Sequence, residues 1–199
     1  LDPRVYDRAC EDEQDSKINA CIERVFEIWE RTTDNKGVQL IFCDLSTPKK
    51  AFKDYEHGQD FDVYNDIKYK LVQRGIPAEE IAFIHDANTD AQKMSLYKDA
   101  NAGKVRVFIG STEKCGAGMN VQQRLFALHH LDTPYRPLDL QQREGRIIRQ
   151  GNSYKNVEIY TYVTERTFDS YSYQILENKQ RFISQIERGD MTSREAEDI

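Results

Sequence analysis

No stretch of this chain stays apolar for more than about six residues, far short of the ~20 a bilayer-crossing helix needs, so no membrane span is expected. The opening LDPRVYDRACEDEQD has neither a basic leader nor an apolar core, which excludes a secretory signal, and its abrupt start reads as the interior of a longer polypeptide. Cysteine is sparse. Cys10, Cys21, Cys43 and Cys115 form no C-x-x-C pair, so their spacing suggests no zinc cage or redox dithiol and predicts reduced, packed thiols in the cytoplasm. Of the four histidines, His129 and His130 are adjacent in a predicted strand and must face opposite sides, so they cannot chelate together and read as structural; no metal site is expected. Proline and glycine are few, and with 39% apolar residues, no low-complexity segment and no internal repeat the composition is that of one ordinary globular α/β domain.

Two further absences bear on nucleotide chemistry. There is no G-x-x-x-x-G-K-[ST], since Gly103-Lys104 is followed by Val105, and no Asp-Glu pair closes an apolar strand to hold magnesium. This chain alone does not cradle a nucleotide triphosphate in the usual way.

What is present is unevenly charged. The chain totals −6, yet residues 101–155 hold nine Lys or Arg against four acids, a local +5 that leaves −11 elsewhere. Such polarity attracts phosphates even where the whole chain would be repelled by nucleic acid. Apolar residues spaced by three and four predict a helix over 14–31, and compact β-branched and aromatic runs predict strands at 38–42, 81–85, 105–110, 125–131 and 157–163. Helical patterns fill 62–74, 89–100 with Thr89 as N-cap, 137–150 and 166–187, while 49–60 reads as a polar surface excursion. Strands buried on both faces and alternating with helices imply a mostly parallel sheet, whose ligands sit beyond the strands' carboxyl ends.

Two of the loops at those ends carry chemistry. STEKCGAGMN (111–120) follows a strand; Gly116 and Gly118 let backbone approach an anion, and a helix starting near Gly118 would present free N–H groups to a phosphate. A plain strand-to-helix turn would use the same glycines sterically. In DLQQREGRIIRQGN (139–152), helical geometry places Gln142, Gly145, Arg146 and Arg149 on one face and Leu140 and Ile147 on the other. Gly145 removes bulk beside the arginines, and Glu144 is expected to neutralise Arg143. Paired guanidiniums of this kind suit the stabilisation of a γ-phosphoryl group held by a neighbouring surface.

On those residues the chain resembles superfamily-two helicases. Q-x-x-G-R-x-x-R-x-G, Gln142 to Gly151, looks like their motif VI, and STEKCGAGMN looks like motif V in the form used by Snf-type, chromatin-remodeller-like DNA translocases. VQLIFCDLS (38–46) is similar to motif IV, and the segment ending T-E-R-T-F-D-S-Y resembles the closing strand and helix. Cys115 departs from the family's usual glycine. The resemblance covers roughly 38–186 and implies a RecA-like three-layer α/β sandwich, the second motor domain of an ATP-dependent translocase or helicase. It further implies arginine fingers at Arg146 and Arg149, a nucleotide-side surface at Gln142, Gly145, Gly118 and Asn120, and DNA-backbone contacts at Ser46, Ser111, Thr112, Lys114 and Gly116. ATP and Mg2+ would be bound mainly by a first RecA-like domain of the same polypeptide, with double-stranded DNA as track and the isolated fragment monomeric and inactive. The expected organisation is a helical lead-in over 1–36, a motor core over 37–165, and a C-terminal helix and tail over 166–199. That tail resembles those of phage and mobile-element proteins that join such a motor to an adenine methylase.

Two other readings stay open on the sequence. Asp132-Thr133-Pro134-Tyr135 resembles the D-P-P-Y loop with which amino-methyltransferases hold a flipped adenine, although Thr133 replaces a proline and no glycine-rich cofactor turn precedes it. The basic segment would also serve an ATP-independent DNA-binding module, with salt-sensitive affinity unlinked to nucleotide.

Overall fold

The computed structural model describes residues 2–115, 119–148 and 150–188. The chain folds as α1 (Lys17–Arg31), β1 (Val38–Phe42), α2 (Val63–Gln73), β2 (Ile81–Phe83), α3 (Asp90–Asn101), β3 (Val107–Gly110), β4 (Leu125–His130), α4 (Pro137–Glu144), β5 (Glu158–Thr161) and α5 (Phe168–Arg188). All five strands are parallel, in the order β2-β3-β1-β4-β5. This is the expected α/β, RecA-like layering. β1 is central because its neighbours β3 and β4 both bury it, and its five residues are buried without alternation.

The first three helices start where the sequence provides a side-chain cap. Ser16 Oγ accepts from Asn19 N at 3.2 Å, and Asp62 Oδ1 accepts from Asn65 N at 2.9 Å. Thr89 and Gln92 close a reciprocal capping box on α3, as the sequence predicts for Thr89. At the other end of α2, Gly75 adopts φ +107° and lets Ile76 N donate back to Leu71 O, a helix stop that a Cβ would strain.

The core has two layers, one on each sheet face. Ile18, Cys21, Ile22 and Val25 of α1 and Val63, Tyr64, Ile67 and Leu71 of α2 pack on Ile41, Cys43, Val107 and Ile109. Tyr97 and Ala100 of α3, with Ile147 beyond α4, cover Leu40, Phe42, Phe108 and Leu128 on the other side. The alternation along each strand is the two-residue period directing neighbouring side chains to opposite faces. The amphipathic helix of the lead-in is thus one of the sheet's covering helices. Arg106, fully buried at the start of β3, ties that helix down: Nη2 donates to Trp29 O at 2.6 Å and Thr32 Oγ1 at 3.0 Å, and its guanidinium lies 4.9 Å from the Trp29 ring. A cation at the carbonyl end of α1 suits the helix dipole.

Three expected elements differ in extent. β2 ends at Phe83, and Ile84–Asp86 turn into a 3-10 helix where the run meets the polar pair His85 and Asp86. No α-helix follows Gly118: Met119 to Val121 are irregular, and only the 3-10 turn Gln122–Arg124 precedes β4. α4 stops at Glu144 rather than 150, for Gly145 removes helix propensity worth ~1 kcal/mol, and Arg146 N and Ile147 N donate three residues back, to Arg143 O and Glu144 O. Among the described residues no helix is long and apolar enough to cross a membrane.

Candidate functional site

The chain reverses its direction of growth across the sheet at β1, which lies between the earlier pair β2, β3 and the later pair β4, β5. At such a switch point the loops leaving the strands part and open a crevice. Asp44 leaves β1, Thr112 leaves β3 and Asp132 leaves β4, and these three converge on Arg143 of α4.

Arg143 is 1% exposed, and each of its five N–H groups has an acceptor. Nε donates to Thr112 Oγ1 at 2.7 Å; Nη2 donates to Asp44 Oδ2 at 2.8 Å and Asp132 Oδ1 at 3.1 Å; Nη1 donates to Asp132 O at 2.9 Å and, at 3.4 Å, to His130 Nδ1. Its planar face lies 4.9 Å from the Phe42 ring centroid. Asp132 Oδ2 also accepts from the main-chain N–H groups of Asp44 and, at 3.0 Å, Leu45. Burial pushes the Asp132 carboxyl up, while Arg143 and those amides pull it back down. Arg143 and Asp132 form a buried, fully bonded pair that holds geometry; removing either leaves the other unpaired at a cost of ~3–5 kcal/mol.

The two adjacent histidines work from opposite faces. Because Gln39 Nε2 donates to Val25 O, Gln39 Oε1 is the acceptor for His129 Nε2–H at 3.1 Å, and His129 Nδ1 accepts from Tyr162 Oη at 2.8 Å. His130 Nδ1 faces the Arg143 donor, so its proton sits on Nε2, which is 3.8 Å from Glu144 Oε1. Burial holds both imidazoles neutral down to about 3, helped at His129 by His130 and at His130 by Arg143. Glu144 therefore faces His130 and does not neutralise Arg143, whose carboxylate partners are Asp44 at 2.8 Å and the buried Asp132 at 3.1 Å.

Above this clamp lies a cleft of about 630 Å3 whose lining includes Thr47, His85, Ser111, Lys114, Arg136 and Gln142. Burial, with Lys114 nearby, keeps the His85 imidazole low. Glu113 and Asp139 share the cleft with the two cations, so its charge is mixed rather than concentrated.

The structure gathers Ser111, Thr112, Lys114 and Gln142 around this cleft. Ser111 Oγ accepts from Lys114 N at 3.3 Å, which folds the loop into a tight turn. Arg146 is 9% exposed and lines a crevice too narrow for water, with Phe42, Thr112, Cys115, Gln142 and Arg143; Gly145 is exposed beside it. Cys115, in place of the expected glycine, turns its sulfur onto Gly110, and burial pushes that thiol up to about 12. Two predicted residues stand elsewhere. Ser46, at φ +61°, accepts from Val63 N at 3.2 Å and so caps α2. Asn120 O accepts from Asn101 Nδ2 at 2.7 Å at the far end of α3, away from the cleft, because the chain must return there to begin β4. Gly116, Gly118 and Arg149 lie outside the described residues.

Asp44, Asp132 and Arg143 were not among the predicted site residues. The available signal was an aspartate directly after each of two apolar strands, which calls for a buried cation between them. The Asp132-Thr133-Pro134-Tyr135 loop also reads differently in three dimensions. The Asp132 carboxylate is buried and engaged by Arg143, Asp44 and Leu45, not presented to a substrate amine, while Tyr135 is 83% exposed.

Comparison with known proteins agrees with this geometry. The family described as helicase conserved C-terminal domain matches residues 27–151. The chain is 31% identical over 137 residues to the Defense against restriction protein B of Escherichia phage P1, covering 57% of this chain and 6% of that protein. It is 28% identical over 166 residues to the uncharacterized ATP-dependent helicase YqhH of Bacillus subtilis (strain 168), covering 81% of this chain and 27% of that protein. The chain thus spans only a small part of either relative. Among solved structures, the C-terminal part of the Fun30 ATPase domain superposes with a TM-score of 0.59 at 16% identity, covering 86% of this chain and 49% of that one, a likeness of fold. With the match running from within α1 to the turn beyond α4, across four of the five strands and the Arg143 clamp, the chain belongs to the helicase conserved C-terminal domain family.

Proposed function

We propose that this chain is the second motor domain of an ATP-dependent, Snf-type double-stranded DNA translocase or helicase, working against a first RecA-like domain of the same polypeptide. The observation that carries the reading is the junction of the loop at Ser111 and Thr112 with the α4 turn at one cleft beyond the carboxyl ends of the parallel strands. Ser111, Thr112, Lys114 and Gly116 serve the DNA backbone, with Ser46 acting through the start of α2; phosphate contacts of this kind carry little base specificity. Gln142, Gly145, Arg146 and Arg149 form the nucleotide side, with Gly118 contributing to the surface between domains. We further propose a helical lead-in over 1–36, a motor core over 37–165, a C-terminal helix and tail over 166–199, and the phage and methylase-fusion kinship suggested by the tail.

The donors on this chain fit one edge of a polyphosphate and no more, since Gln142 and the arginines are present without a phosphate loop. ATP with its Mg2+ supplies the driving phosphoanhydride cleavage. Arg146 and Arg149 offer permanently charged, planar donors to the outer phosphate oxygens, and Gln142 orients polar groups at the edge of the turn. Opening and closing between the two domains then alternates the grip on DNA.

Arg146 is nine-tenths buried, so the test is put to Arg149. In the full-length protein, Arg149→Ala should lower ATP turnover by ~10³ while leaving nucleotide-free DNA affinity little changed. Turnover at the wild-type rate would refute the assignment. An ATP-independent binding module would instead show salt-dependent DNA affinity with no nucleotide effect and no turnover to lose.

A further inference from the structure

We infer that Arg143 is a positioning residue that transmits DNA contact on the 111–114 loop, through Thr112, to the nucleotide-facing turn of α4, with Asp44 as the second half of the link. The inference rests on the two-sided reading of the cleft above.

Asp44 holds both polar atoms of Thr112: Oδ1 accepts from Thr112 N at 2.5 Å, and Oδ2 accepts from Thr112 Oγ1 at 2.8 Å. Oδ2 also accepts from Arg143 Nη2, while Arg143 Nε donates to Thr112 Oγ1. Thr112, Asp44 and Arg143 therefore close a ring of hydrogen bonds in which the threonine hydroxyl uses its single proton on Asp44 and a lone pair on Arg143. Arg143 follows Gln142 and precedes the C-cap Gly145 on the same short helix, so its guanidinium moves with these two residues of the proposed nucleotide side. On the strand side the same guanidinium is fixed to Asp132 by both the carboxylate and the carbonyl oxygen. Thr112 cannot shift by an ångström without either breaking this ring or carrying α4 with it. Packed, fully bonded elements of this kind switch between discrete arrangements rather than deforming continuously.

The ring also predicts which substitutions cut it without unfolding the domain. Asp44→Asn turns one acceptor into a donor facing Thr112 Oγ1 and Arg143 Nη2, both of which are donating there, yet leaves Arg143 paired one-to-one with Asp132. Arg143→Lys keeps the positive charge between the aspartates but replaces the five-donor plane with a point charge that cannot span Thr112, Asp44 and Asp132 at once. Neither residue is assigned to touch DNA or nucleotide.

The experiment uses the full-length polypeptide and measures ATP hydrolysis with and without saturating duplex DNA, DNA affinity by fluorescence anisotropy, and melting temperature. Asp44→Asn should reduce the fold-stimulation by DNA at least tenfold while keeping the DNA-free rate and the DNA affinity within twofold; Arg143→Lys should do the same, and the double variant should be no worse than either alone. Wild-type stimulation in folded Asp44→Asn protein overturns the inference. So does an equal drop in stimulated and DNA-free rates together with a lowered melting temperature, the mark of a merely structural role. Should Arg143→Lys fail to fold, Asp44→Asn decides by itself. The functional reading fails separately: if the wild type shows no DNA-stimulated hydrolysis, or Arg149→Ala hydrolyses normally, both fall, whereas an inactive Arg149→Ala beside a fully stimulated Asp44→Asn removes only the link.

Discussion

Acid should unfold this domain at a mildly low pH through two residues, His129 and His130. Both are fully buried, and burial depresses each imidazole from its ordinary 6.5 to about 3. Each folded value lies below the unfolded one. Their contribution is therefore complete above about pH 6.5 and is lost as pH falls toward 3, because the unfolded chain takes up protons that the folded chain refuses. Each site costs about 1.4 kcal/mol per pH unit in that window, so the pair removes about 4 kcal/mol between pH 6.5 and pH 5. Asp66 and Asp132, whose carboxyls burial pushes up, act in the opposite sense and make that figure an upper bound. Against a typical total of ~5–15 kcal/mol, such a loss brings the chain close to unfolding. The assay is urea denaturation of the 199-residue chain at pH 7.5, 6.0 and 5.0, repeated with His130→Gln, which retains a side-chain acceptor for Arg143 and cannot titrate in this range. The wild-type slope should be about twice that of the variant. Equal slopes, or His129 and His130 resonances that titrate near 6.5 in the folded protein, would refute the reasoning.

Gly110→Ala should destabilise the chain by ~1–3 kcal/mol, because the added methyl is driven into Cys115 Sγ and against Ile84; the double variant with Cys115→Ala should recover most of it in thermal melts. Thr89→Ala should cost ~1 kcal/mol by opening the capping box on α3, read as faster amide exchange at Gln92, and unchanged exchange there would count against the cap.

What could be read in the sequence and what could not divide along a physical line. Val38–Phe42 and Leu125–His130 declared themselves because strands buried on both faces read as compact apolar runs, interrupted only by Gln39 in the first and the histidine pair in the second, and Thr89 declared its helix because a cap acts on residues three positions away. The end of α4 misled because the 3.6-residue period of Leu140 and Ile147 continues past Gly145, while the backbone tightens there and puts Ile147 into the core by a different path. Arg143 was the deepest omission. In one dimension it is a member of a basic run, and a basic run is by default a solvated face. Its acceptors stand 99, 31 and 11 residues away, at Asp44, Thr112 and Asp132, and only the parallel sheet brings them to one point. Arg106 repeats the lesson within VRVFIG, where a charge inside an apolar strand closes on carbonyl oxygens 69 and 77 residues distant. In both places a buried cation marks a junction between distant segments. The arginine that the sequence alone makes least interesting for chemistry is the one on which the geometry of the cleft depends.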